Sequence, residues 1–182
     1  MKLRPTLWRT CRVIASETRL QLLWHIFEEG ELCVQKLVER SGVSRSNASN
    51  QLRALSARGL ITPRREDMRV IYRAEANAGI SFAPKLLEAL KTCCELSMPF
   101  KTVIQQTTAF THERRIEIAR ALDGKSLPFA DLLEATGMSS TALSRHLGKL
   151  EDRGFVRGVS GTYHLSRPSN PLGRVLIKIA RS

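Results

Sequence analysis

The chain has 182 residues, enough for one mid-sized domain or two small ones, and its 42% hydrophobic and 25% charged residues are typical of a globular protein. It has no apolar run of 18 residues, and no apolar stretch follows Met1–Thr6, so we predict a cytoplasmic protein that is neither secreted nor inserted in a membrane. Its 29 basic residues against 17 acidic ones give a net charge of +12, which favours nucleic acid as the partner. An aromatic content of 5% argues against the base-stacking surfaces that bind single strands.

The sequence contains an internal repeat with a period of 95 residues. Sliding the chain by 95 positions aligns its halves without a gap and keeps glycines, serines and leucines in place. The matched pairs include Arg19 with Arg114, Gly42 with Gly137, Ser44 with Ser139, Leu52 with Leu147 and Gly59 with Gly154. Residues 1–80 and 81–182 each carry a net charge of +6. We therefore predict two domains, module one at residues 1–97 and module two at residues 98–182.

Apolar residues at helical spacing, with serine caps and glycine stops, define the elements of module one. In chain order they are a helix at 6–15, a helix from Ser16 to Glu29, an extended piece at 32–34, a helix at 35–41, a helix from the Ser44 cap to Arg58, strands at 60–62 and 70–72, and a helix at 83–97.

Module two repeats this order of elements. The predicted elements are helices at 100–109, from Thr111 to Leu122, at 129–136 and from the Ser139 cap to Arg153, a hairpin at 155–165 that turns at Ser160-Gly161, and a final helix at 171–181 behind the cap Asn170. A helix-turn-helix followed by a two-stranded hairpin is a winged helix. We predict a mainly α fold with short β-hairpins (α+β), two tandem winged helices packed through their flanking helices.

The motifs of both modules resemble those of the ArsR-type (arsenic-repressor-like) transcription factors. The resemblance lies in Glu31–Leu37, Ser41–Ser44, Gln51–Leu55 and Gly59–Ile61, and again in Ser144–Val156. It implies sequence-specific DNA binding, with a repressor as the expected role. Family members normally carry one module and dimerise, whereas this chain fuses two.

The resemblance does not predict metal sensing for this chain. Metal-sensing relatives hold a second thiol two residues after the position of Cys33, and here that position is Gln35. One thiolate cannot supply the three or four ligands that a soft metal needs. The helix at 83–97 has no histidine for the family's alternative site. We predict no metal and no cofactor.

The third helix of each winged helix has an apolar stripe and a polar one, and a recognition helix sets such polar side chains against base edges. The predicted base contacts are Ser46, Ser49, Asn50 and Arg53 in module one and Thr141, Ser144, Arg145 and Lys149 in module two. Arg45 and Ser140, just past the caps, are expected near phosphate. The alternative is an ordinary solvated face.

The hairpins are the predicted wings. Arg64, Arg65, Arg69 and Arg73 surround the first turn and suit phosphate or the minor groove. Arg157 and His164 are the basic side chains of the second hairpin, so we expect this hairpin to bind DNA more weakly than the first. The alternative role is protection of an edge strand from aggregation.

Three cysteines on apolar helices, Cys11, Cys93 and Cys94, are candidates for a thiol sensor, although a free cysteine more often serves as a small buried hydrophobic residue.

The sequence has no catalytic or phosphate-cradling motif, which predicts that the protein is not an enzyme. The rival functions are a winged-helix protein–protein adaptor and a nucleoid protein that binds DNA without sequence preference. We expect double-stranded DNA as the partner and an internal pseudo-dimer of the modules, with a homodimer of four modules as the alternative.

Overall fold

The computed structural model describes residues 5–182, so most of Met1–Thr6, on which the expectation of no export signal rests, lies outside the described residues. The elements of module one are α1 (Leu7–Ile14), α2 (Glu17–Glu29), β1 (Glu31–Cys33), α3 (Val34–Ser41), α4 (Arg45–Ser56), β2 (Thr62–Glu66), β3 (Arg69–Arg73) and α5 (Ala83–Glu95). Those of module two are α6 (Phe100–Thr108), α7 (Glu113–Ala121), β4 (Leu127–Pro128), α8 (Phe129–Thr136), α9 (Ser140–Glu151), β5 (Val156–Val159), β6 (Thr162–Leu165) and α10 (Pro171–Arg181).

These elements confirm the predicted fold of two tandem winged helices. Each wing is a three-stranded antiparallel sheet, in the order β1-β3-β2 and β4-β6-β5. The sequence predicts two-stranded hairpins, and the structure adds a third strand to each of them. β1 was predicted only as an isolated extended piece and β4 was not predicted, because a two- or three-residue strand is defined by the partner with which it pairs.

Several boundaries differ from the prediction, and three of them have a clear structural cause. The first wing strand begins at Thr62, because Leu60 and Ile61 are buried in the core instead of pairing. α4 ends at Ser56, and a turn with a left-handed Gly59 at φ +70° follows it. α7 begins at Glu113, with the ring of His112 accepting a hydrogen bond from the backbone N–H of Arg114 at 3.2 Å.

The helices that flank the two winged helices pack against one another. α5 of module one lies on α10 of module two, and α1 lies on α6. Trp24 in α2 meets Phe100 in α6 edge to face, with ring centroids 5.6 Å apart. One hydrophobic core therefore runs through both modules, as the predicted packing through flanking helices requires. No helix within residues 5–182 is long and apolar enough to cross a membrane.

Candidate nucleic-acid interface

The helix-turn-helix of each module is fixed by the same two devices. A glycine in the left-handed conformation ends the first helix of the motif, Gly42 at φ +69° after α3 and Gly137 at φ +59° after α8. A serine then caps the second helix, α4 or α9, and the hydroxyls of Ser44 and Ser139 each accept a hydrogen bond at 3.3 Å from the backbone N–H three residues on. The duplicated glycine–serine spacing therefore sets α4 and α9 in equivalent positions.

The polar stripes of α4 and α9 face the solvent. The buried stripes are Ala48, Leu52 and Leu55 on α4 and Leu143, Leu147 and Leu150 on α9. Of the predicted contact residues, Ser49 is half-buried, and the exposed ones are Arg45, Ser46, Asn50, Arg53, Ser140, Thr141, Ser144, Arg145 and Lys149. Arg53 donates from Nε to the carbonyl of Ser49 at 3.3 Å. Both helices thus present short polar groups and arginines on one accessible face.

The first wing divides its four arginines into two pairs. Arg64 is ion-paired with Glu66, and Arg73 Nε lies 2.8 Å from a carboxylate oxygen of Glu31. Arg65 and Arg69 are exposed and have no carboxylate within 4.0 Å among the described residues. These two arginines are therefore the wing residues with charge available for a phosphate.

The second wing is shorter and less basic. Its turn is the predicted Ser160-Gly161 pair, with φ values of +50° and +80°. Arg157 is exposed and lies opposite His164 in the ladder between β5 and β6. The carboxylate of Glu151, at the end of α9, accepts a hydrogen bond from the backbone N–H of Gly158 at 3.0 Å and so ties this wing to its recognition helix.

The two recognition helices are anchored by different chemistry at equivalent positions. In module one, Arg19 donates to the side chain of Gln51 at 2.7 Å, and Gln51 donates to Asn47 at 2.7 Å. In module two, His146 replaces Gln51, and its ring centroid lies 4.6 Å from that of His112. Burial, His112 and the charge of nearby Arg115 lower the pKa of His146 to about 4, so this ring is neutral at pH 7.

Three arginines that donate hydrogen bonds to Thr108 or Thr111, at the end of α6 and just beyond it, were not identified as site candidates from the sequence. Arg12 Nε donates to the carbonyl of Thr111 at 2.9 Å, Arg115 donates to the hydroxyl of Thr111 at 2.7 Å, and Arg153 donates to that of Thr108 at 2.9 Å. The signal for Arg115 was present in the repeat, because this arginine occupies the position that buried Leu20 holds in module one.

The cysteines do not form a disulfide within the described part of the chain. Cys11 and Cys93 are fully buried, and Cys94 is half-buried. Burial raises the pKa of all three thiols, that of Cys93 to about 11, which disfavours the reactive thiolate. The thiol-sensor role stays a prediction, and burial argues against it at Cys11 and Cys93. Residues 5–182 contain no group of three or more His, Cys, Asp or Glu placed to hold a metal ion.

A winged helix whose third helix exposes a polar stripe is the architecture of DNA-binding winged-helix proteins, and this chain contains it twice. Residues 15–71 match the model of the MarR family, and residues 112–157 match that of the bacterial regulatory protein arsR family. Both are families of DNA-binding transcription regulators and not of enzymes. The chain therefore contains two tandem winged-helix regulator modules, and the ArsR-type resemblance is confirmed, with the difference that module one matches the MarR model. No curated protein matches the chain.

Proposed function

We propose that the protein is a sequence-specific transcriptional repressor that binds double-stranded DNA with both modules of one chain. The observation that carries this proposal is the pair of capped recognition helices, α4 and α9, each with an exposed stripe of serine, threonine, asparagine or arginine side chains. Arginine pairs well with guanine and asparagine with adenine in the major groove. We assign base contacts to Asn50, Arg53 and Arg145, and phosphate contacts to Arg65 and Arg69 of the first wing.

We further propose that the two modules, divided at residues 97 and 98, form an internal pseudo-dimer. By the order of elements in the two modules, α1 is equivalent to α6 and α5 to α10, and each of these helices packs on its own counterpart. Contacts between equivalent elements are the pattern expected of an approximate twofold axis. In such an arrangement the recognition helices enter successive major grooves, about 34 Å apart. The two stripes differ in sequence, so the DNA site should be an imperfect palindrome at best.

The two rival functions are less consistent with these features. An adaptor that binds proteins has no need for a net charge of +12 or for two recognition helices with arginine stripes. A nucleoid protein would use the same phosphate contacts without base readout. Competition between genomic fragments and random DNA at fixed salt separates it from a regulator, since specific binders gain about 10³- to 10⁷-fold in affinity.

The first test is a salt titration of DNA binding, measured by fluorescence anisotropy on fragments selected from the source genome. Two recognition helices and one basic wing should neutralise about 6–8 phosphates, which gives a slope of log K against log[salt] of roughly −5 to −7. A flat titration, or no binding to any fragment, would remove the regulator proposal.

The second test combines sedimentation with a footprint on the selected site. The pseudo-dimer predicts a monomer of 20.4 kDa that protects about two helical turns of an imperfect palindrome. A tight homodimer on a perfect palindrome would instead favour the arrangement with four modules.

A further inference from the structure

A group of cations lies where α1 of module one meets the end of α6 and the segment between α6 and α7 of module two. We call it the junction cluster; its members are Arg12, Arg115, Arg145, Arg153, His112 and His146. Hydrogen bonds to Thr108, the last residue of α6, and to Thr111, between α6 and α7, gather Arg12, Arg115 and Arg153. The ring of His112 lies 4.6 Å from that of His146 on α9, measured between centroids, which brings α9 into the same cluster. Burial and the charges of the surrounding arginines, Arg115 first, lower the pKa of His112.

The charge of this cluster is not compensated by the protein. No carboxylate within the described residues lies within 4.0 Å of any of its four guanidinium groups. Arg115 is only 4% exposed, and its buried Nε has no hydrogen-bond partner; the buried Nδ1 of His146 has none either. Burial, Arg153 and Arg12 lower the pKa of Arg115 to about 10. A buried cation without a counter-charge is costly to a fold, so its presence calls for a reason.

Module one shows that the winged helix does not need these cations. The position of Arg115 is occupied there by Leu20, that of His146 by Gln51, and that of His112 by Glu17. Leu20 is buried, and Gln51 takes part in ordinary hydrogen bonds. The same architecture is therefore built with neutral or acidic residues at these three places. Of the cluster, Arg115, His112 and His146 are thus particular to module two, whereas Arg153 has Arg58 as its counterpart.

The guanidinium of Arg12 is fixed in place by one hydrogen bond and one aromatic ring. Its Nε donates to the carbonyl of Thr111, and its guanidinium lies over the ring of Trp8, 4.7 Å from the centroid. The two terminal nitrogens have no acceptor among residues 5–182, and the side chain is exposed. Two parallel N–H groups of a fixed guanidinium match two oxygens of a phosphate. Arg145, also exposed and without an ion pair in the described chain, adds its charge from the predicted DNA-contacting stripe of α9.

We propose that the junction cluster binds one phosphate-type oxyanion between the two modules, with Arg12 as the direct ligand. Its place beside α9 favours a phosphate of the DNA backbone between the two recognition helices. This source rests on the proposed function, whereas a free inorganic oxyanion at the same cluster does not.

The first arm of the test measures DNA binding by Arg12→Gln on the selected site and on random DNA. Because a phosphate contact carries no sequence information, affinity for both should fall by the same factor, roughly three- to tenfold at 0.1 M salt, and the salt slope should drop by about 1. Arg12→Lys, which keeps the charge, should retain the slope. The matched control is Arg9→Gln, because Arg9 also covers Trp8, at 4.9 Å, but makes no bond to module two, and it should behave as wild type.

The second arm needs no DNA. The thermal midpoint is measured in sodium phosphate and in sodium chloride at equal ionic strength, for wild type, Arg9→Gln, Arg12→Gln and Arg115→Leu. A free oxyanion site predicts a rise of a few degrees, ~3 °C, in phosphate for the first two proteins and none for the last two. Arg115→Leu should remain folded, because it installs the residue of module one.

The arms assign the source. A loss of salt slope without phosphate stabilisation identifies the DNA backbone, and stabilisation that disappears in Arg12→Gln identifies a free oxyanion. If Arg12→Gln matches wild type in both arms, the inference is overturned, while DNA binding by the wild type would leave the proposed function intact.

Discussion

The shared core predicts that the two modules unfold together, and Leu176→Ala tests this directly. Leu176 lies on α10, which packs on α5 of module one as well as on α6 and α7 of its own module. Its side chain is fully buried. Truncation of a buried leucine to alanine costs about 2–5 kcal/mol, and a loss near 3 kcal/mol should lower the melting temperature of a chain of this length by roughly 6–12 °C.

The two tryptophans make the assay specific for one module. Trp8 in α1 and Trp24 in α2 both belong to module one, whereas Leu176 belongs to module two. We expect the melting temperature from tryptophan emission to fall in Leu176→Ala by the same amount as that from far-ultraviolet circular dichroism. Lys178→Ala, an exposed position on the same helix, should leave both unchanged. A tryptophan transition that stays at the wild-type temperature while circular dichroism shows two steps would refute the shared core.

Four further predictions concern the site and its neighbours. Arg145→Ala should cost roughly 1–3 kcal/mol of binding on the selected DNA and little on random DNA, whereas Arg65→Ala should weaken both alike; equal losses for Arg145→Ala would exclude base readout. In native protein at pH 7.5, iodoacetamide should modify half-buried Cys33 and Cys94 before Cys11 and Cys93, as followed by mass spectrometry, because burial keeps the latter two thiols protonated. Because His146 binds a proton in the unfolded chain but not in the fold, it should make the folded protein less stable as pH falls from about 6.5 towards 4. The urea midpoint of His146→Gln should therefore drop less between pH 7.5 and 5 than that of wild type. Zinc, cadmium and arsenite should not release DNA through Cys33, so a metal response that vanishes in Cys33→Ser alone would contradict the argument from Gln35.

The sequence alone determined the winged-helix fold and its duplication. Periodic leucines place the core faces of α4 and α9, and the glycine–serine pairs Gly42-Ser44 and Gly137-Ser139 fix the turns of both helix-turn-helix motifs. These are local signals, since a cap or a left-handed glycine acts on residues three or four positions away. The same locality explains why the polar stripes could be read from the sequence as exposed faces.

Tertiary structure decided what depends on distant partners. β1 and β4 become strands only because β3 and β6 lie beside them. Which wing arginines are available depends on Glu31, which is far from Arg73 in sequence but only 2.8 Å from it in the fold. The junction cluster has the same origin, because Arg12 and Thr111 are 99 residues apart and meet through the packing of α1 on module two. Periodicity and caps carry no information about such contacts, since burial and charge compensation are set by residues that only the folded chain brings together.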